Sequence, residues 1–193
     1  LTFKLREGVK WHDGKPFTAA DVKCTWDAIT EKRQAGWRKN PRQEWYFNLK
    51  EVTTDGDFTV SFQLGRPQPS FLTFLAGAFS PVYPCHVDGK DMRLKPIGTG
   101  PFKVAEFKPN DRISLVRNPD YWRPNRPYLD GMEWKVVRNR ATRILAFVAG
   151  EFDLTFTTEV TPQILKEIKD QRPDVQCEMN TVNGQGQLLV NRE

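Results

Sequence analysis

Apolar and polar side chains alternate strictly along Leu1-Thr2-Phe3-Lys4-Leu5-Arg6, the pattern of a half-buried strand. Glu7-Gly8 and Asp13-Gly14 then punctuate a loop. Thr18 stands three residues before Asp21, a variant of the capping box, in which hydroxyl and carboxylate satisfy the orphan amides of a helix start. The helix it opens is predicted to run to about Arg33, with Val22, Trp26 and Ile29 on one face. Residues 34–48 show no period and are rich in Arg, Trp and Asn. A hairpin follows: Leu49 to Thr53, a turn at Asp55-Gly56, then Phe58 to Leu64 with Phe58, Val60, Phe62 and Leu64 facing one way. Pro67 and Pro69 precede a short apolar helix, Ser70 to Ala76, and a stretch containing Pro and Gly spans 81–101.

The second half opens on another hairpin, Phe102 to Phe107 and Arg112 to Arg117, around Lys108-Pro109-Asn110-Asp111. A loop carrying Pro119, Pro124 and Pro127 leads to a strand over Met132 to Arg138. A helix from Arg140 to Ala149 places Ala141, Ile144, Leu145 and Val148 on one face, and Gly150 caps it. Phe152 to Phe156 reads as a short strand, and Thr161-Pro162 as the N-cap and first residue of another helix. Val175 to Met179 and Gln187 to Val190 read as closing strands. Interspersed strands and helices with several hairpins define a mixed α/β chain with α+β elements. The lobe boundary is placed inside 81–101, giving lobes 1–95 and 96–193, and no internal repeat is evident.

Composition narrows the function classes. The 193 residues are 38% hydrophobic and 27% charged, with six Trp and thirteen Phe, which suits a globular chain with a sizeable core. The net charge of +5 would allow nucleic acid as a partner, but Lys and Arg are scattered among acidic residues. No basic run with interleaved aromatics is present, so no nucleic-acid partner is expected. Cys24, Cys85 and Cys177 form no C-x-x-C pair, and three cysteines leave at least one thiol outside any intrachain bridge. No stretch approaches the roughly 18 apolar residues of a membrane span. The chain starts at Leu1 within a strand pattern and stops just after another, so it is expected to be an excised piece of a longer protein.

Chemistry-bearing residues are few. His12-Asp13 are neighbours in a Gly-bounded loop and would suit a base and its orienter, yet no G-x-S-x-G elbow accompanies them. Their polar side chains are expected to hold the loop's own backbone. His12 and His86 match no metal-ligand spacing, and Gly98-Thr99-Gly100 lacks the rest of a phosphate loop. Glu151 and Asp153 are read as solvated turn residues rather than as a glycosidase pair. The cluster Trp45-Tyr46-Phe47 with Arg42 is different: it lies in an aperiodic segment, where binding residues concentrate. Arg42, Trp45 and Tyr46 are the candidate ligand-binding residues, with a role for Trp45 and Phe47 in anchoring the long loop to the core as the alternative.

Several segments, in order, resemble one family. Thr2-Phe3-Lys4-Leu5-Arg6-Glu7-Gly8-Val9-Lys10-Trp11-His12-Asp13-Gly14-Lys15-Pro16-Phe17-Thr18-Ala19-Ala20-Asp21-Val22 resembles the signature of the family-5 extracytoplasmic solute-binding proteins of ABC importers, which take peptides or nickel chelates. Pro96-Ile97-Gly98-Thr99-Gly100-Pro101-Phe102-Lys103, Arg117-Asn118-Pro119-Asp120-Tyr121-Trp122 and Gly150-Glu151-Phe152-Asp153 are further matching motifs. The resemblance implies a class II periplasmic-binding-protein fold, present in part: a domain II-like lobe over 1–95 and a partial domain I-like lobe over 96–193. It implies a binding protein rather than an enzyme, without cofactor or bound metal. Its partners would be a peptide or other small-molecule ligand and an ABC permease, and its place the periplasm or a lipid anchor outside the cytoplasmic membrane. A regulator's sensing module and, further off, a hydrolase are the alternatives. Arg42-Gln43-Glu44-Trp45 is similar to a ligand-facing Arg-x-x-Trp stretch of nickel-chelate receptors, but Phe79 stands where a further ligand-facing Arg of those receptors aligns. That departure points away from a nickel chelate.

Overall fold

The structure, a computed structural model, describes residues 1–30, 40, 43–155 and 160–177. Arg42, the first helix beyond Thr30, Phe156, the end of the 175–179 segment and the whole of 187–190 lie outside the described residues. The chain divides into two compact units, Leu1–Val136 and Val137–Glu193.

The first unit holds two antiparallel three-stranded sheets. In the first, β1 (Thr2–Lys4) and β2 (Leu49–Asp55) flank β3 (Thr59–Leu64). Phe3 pairs with Val60, and Val52 with Phe62. The period-2 pattern of β3 does what it predicts: Val60 and Phe62 are buried, while Thr59 and Ser61 are partly exposed. Helix α1 (Ala19–Ile29) lays Ala19, Val22, Trp26 and Ile29 on this sheet. Trp26 sits at the centre of the core, its ring centroid 4.8 Å from that of Tyr46 and 5.4 Å from that of Phe62, both edge-on. Helix α2 (Phe71–Ala76) adds Phe71, which is wholly buried.

The start of α1 is fixed by Asp21. Its Oδ2 accepts the Thr18 amide at 3.0 Å, the carboxylate half of the expected capping box. It also accepts Trp11 Nε1 at 3.1 Å, while Oδ1 accepts the Cys85 amide at 3.0 Å. A disulfide joins Cys24 of α1 to Cys85. A one-turn helix, α3 (Asp91–Leu94), lies within the Pro- and Gly-containing stretch 81–101.

The second sheet orders β4 (Phe102–Lys108), β5 (Arg112–Arg117) and β6 (Gly131–Lys135) in sequence. The predicted hairpin is present, with Asn110 at φ 62° in its turn. Buried Asn118 donates from Nδ2 to the Gly100 carbonyl at 3.0 Å, and its own amide donates to Pro101 O at 2.8 Å.

The second unit is built on α4 (Arg140–Val148) and α5 (Pro162–Gln171). Asn139 Oδ1 caps α4 by accepting the Thr142 amide at 3.1 Å, and Thr161 Oγ1 caps α5 by accepting that of Ile164 at 3.3 Å. Arg172 grips Asp174 through Nε and Nη2 and donates from Nη1 to the Val148 carbonyl at 3.3 Å. The strand expected from Phe152 does not form over 152–155, which are irregular with a bend at Asp153. A four-residue apolar alternation holds a strand only where a neighbour completes its ladder, and none pairs there among the described residues.

Candidate ligand-binding face

The aperiodic segment read as the candidate site is described from Gln43 onward. Gln43–Tyr46 forms a 3-10 turn in which two adjacent aromatics part company. Tyr46 is 2% exposed and packs against Trp26, whereas Trp45 is 41% exposed. The Tyr46 hydroxyl meets Ser80 Oγ at 2.5 Å, and Ser80 Oγ donates to the Phe74 carbonyl at 2.7 Å. Asn48, also buried, latches the other end. Its Nδ2 donates to Arg66 O and Gln68 Oε1, both at 2.9 Å, and its Oδ1 accepts the Arg66 amide at 3.0 Å.

These anchors bring Trp45 against Phe74, with centroids 5.4 Å apart and planes tilted by 32°. Phe79 stands perpendicular to Trp45 at 6.0 Å. Trp45, Phe74 and Phe79 thus line an aromatic face, with the exposed Phe47 ring and Arg66 5.7 Å from its centroid farther along the loop. Such a face offers stacking surface to apolar and planar groups. Of the three candidate ligand residues, Trp45 lies on it, Tyr46 lies beneath it in the core, and Arg42 lies outside the described residues. Phe74, Ser80 and Asn48 carried no local signal as site residues, because each matters only through a partner 6 to 34 positions away.

His12 and Asp13 are occupied by scaffold duties. Both ring nitrogens of His12 face the 98–100 turn: Nδ1 accepts the Gly98 amide at 3.0 Å, and Nε2 donates to the Gly100 carbonyl at 3.0 Å. Burial and neighbouring Lys103 push the His12 pKa down against the opposing pull of the Gly100 carbonyl and Asp13, so the imidazole is held neutral. Asp13 does not orient His12. It meets His86 Nε2 at 2.6 Å instead. Burial pushes its carboxyl up, but the hydrogen bonds from His86 and the Lys15 amide outweigh this and hold it below the usual carboxylate range. A base and its orienter are therefore not assembled at His12-Asp13. Among the described residues, no cluster of three His, Cys, Asp or Glu side chains is grouped to hold a metal, and no helix is long and apolar enough to cross a membrane.

Residues 1–190 match the family model for the bacterial extracellular solute-binding proteins, family 5 (middle region), and the chain belongs to that family. Glutathione-binding protein GsiB of Escherichia coli is 31% identical over 158 residues, which cover 80% of this chain and 30% of GsiB. Oligopeptide-binding protein AppA of Bacillus subtilis is 34% identical over 160 residues, covering 78% of this chain and 28% of AppA. The structure of AppA in complex with a nonapeptide superposes with a TM-score of 0.74 at 30% identity, over 89% of this chain and 34% of that one. NikA of Brucella suis, in complex with Fe(III)-EDTA, superposes with a TM-score of 0.71 at 30% identity, over 89% of this chain and 35% of NikA. The chain thus spans about 30% of the length of the curated relatives it matches. These relatives are binding proteins, in accord with the family read from the sequence motifs.

Proposed function

We propose that this chain is part of the substrate-binding component of an ABC transporter, which captures a peptide or similar small solute outside the cytoplasmic membrane and delivers it to the permease. The observation that carries this reading is the aromatic face of Trp45, Phe74 and Phe79, presented by a loop that Asn48, Tyr46 and Ser80 pin to the core of a family-5 fold. The work asked of it is capture and closure, with no bond made or broken. Residues 1–95 serve as the domain II-like lobe and 96–193 as part of the domain I-like lobe. Ligand contact falls to Trp45 and Arg42, with Tyr46 supporting them from below. Phe79 beside Trp45 favours a solute with apolar or aromatic groups, such as a peptide, over a charged metal chelate. The Cys24–Cys85 disulfide fits the oxidising surroundings of a periplasmic or lipid-anchored receptor.

Native mass spectrometry of the full-length protein purified from its producing cells tests this reading. A co-purified peptide is the expected result. An empty protein that also shows no thermal shift with peptide mixtures overturns it.

A further inference from the structure

The loop between β5 and β6 encloses an open cavity of about 440 Å³, lined by Arg117, Asn118, Pro119, Asn125, Arg126, Pro127 and Tyr128. Two guanidinium groups contribute to it, and they are employed differently. Arg117 is committed to its own loop, donating to the carbonyls of Tyr128 and Leu129 and pairing with Asp130 at 2.7 Å. Among the described residues, Arg126 makes one hydrogen bond, from Nη1 to the Asn125 carbonyl at 3.3 Å, and its Cζ lies 3.5 Å from the centroid of the Tyr128 ring. The ring contact restrains the fork, while Nε and Nη2 keep their hydrogens without an acceptor among the described residues. Asn125 holds a left-handed backbone at φ 57° directly before it, which brings a second polar side chain to the rim. Among the described residues, no carboxylate lines the cavity. An arginine fork seated over an aromatic ring, with two donor nitrogens to spare, matches a tetrahedral or planar oxyanion better than any neutral ligand.

We propose that this cavity is an oxyanion site that binds a phosphate group through Arg126, separate from the aromatic face of Trp45. The group could be presented by soluble phosphate or by a lipid headgroup, and the two are separable by experiment. Calorimetric titration of the full-length protein with inorganic phosphate at constant ionic strength should show saturable binding, weakened at least tenfold in R126Q and partly restored in R126K. Flotation with phosphatidylcholine vesicles, with and without phosphatidic acid, forms the second arm. Co-flotation that needs both phosphatidic acid and Arg126 assigns the site to a headgroup. Phosphate binding without co-flotation assigns it to a soluble ion. Arg126 is exposed, so R126Q is expected to fold, which circular dichroism verifies. Absence of both forms of binding, or binding unchanged in R126Q, overturns the proposal.

Discussion

His12 and Asn118, 106 positions apart, donate to the same carbonyl oxygen, that of Gly100, each at 3.0 Å. One comes from the loop after β1 and the other from the end of β5, so a single backbone oxygen clamps the N-terminal loop to the second sheet's hairpin. Gly98 completes the clamp by donating to His12 Nδ1. This arrangement requires a neutral imidazole, since a protonated Nδ1 cannot accept.

A pH dependence follows, with a definite sign. The folded chain holds His12 below its ordinary value of 6.5, so between the two values the unfolded chain binds the extra proton. This stabilisation is fully present above pH 6.5 and is lost as pH falls through the lowered folded value. Denaturant midpoints measured from about pH 7.5 down to about pH 5 should fall more steeply for the wild type than for H12Q. Parallel profiles would refute the clamp. Asp13, also held low in the fold, contributes in a separate window: its share is present above the ordinary carboxylate value of 3.8 and is lost only in stronger acid.

Asp21 carries three donors on a side chain that is 5% exposed. Replacing it with Ala strands the Trp11 indole, the Thr18 amide and the Cys85 amide, at an expected cost of about 2–4 kcal/mol. Urea unfolding of D21A measures it; a loss within about 0.5 kcal/mol, the range of ordinary surface substitutions, would contradict the hub role.

The Cys24–Cys85 bridge spans a sequence separation of 61. Chain-entropy reasoning gives a closure of that length a stabilisation of about 4 kcal/mol at most. The C24S/C85S double variant should therefore melt well below the wild type under non-reducing conditions, and dithiothreitol should lower the wild-type melting temperature without affecting the variant.

Trp45 and Tyr46 should separate by readout. W45A is expected to weaken ligand binding about tenfold or more while changing stability by no more than about 1 kcal/mol. Y46A should instead cost about 3–5 kcal/mol of stability, as a large buried aromatic lost from the core. Equal effects of both variants on stability would erase the distinction between face and support.

What was legible in the sequence was local. The alternation of Phe58-Val60-Phe62-Leu64, the Thr18/Asp21 cap, the Asn110 turn and the Thr161-Pro162 helix start all depend on neighbours within a few residues, and all appear in the structure. The family, too, was legible, because its motifs are caps, turns and strand starts. What escaped depended on distance along the chain. Nothing near Cys24 selects Cys85 over Cys177, and nothing near His12 announces Gly100. The pattern that marked Trp45-Tyr46-Phe47 as notable carried no sign that Tyr46 would turn inward while its neighbours faced out. That split is decided by Trp26 and Ser80, 20 positions before and 34 after Tyr46. The expected strand at Phe152 failed for a related reason: alternation states which face is apolar, not whether a partner exists.

The Tyr46–Ser80 hydroxyl contact joins the two segments that present Trp45 and Phe79, from beneath the face rather than upon it. Attachment and display are therefore assigned to different residues. On the proposed function, exchange at position 45 or 79 would alter what the surface recognises while leaving the fastening intact. A lineage would then be able to acquire a new cargo by a few substitutions without first repairing its scaffold, as expected of a frame whose relatives bind solutes as different as a nonapeptide and Fe(III)-EDTA.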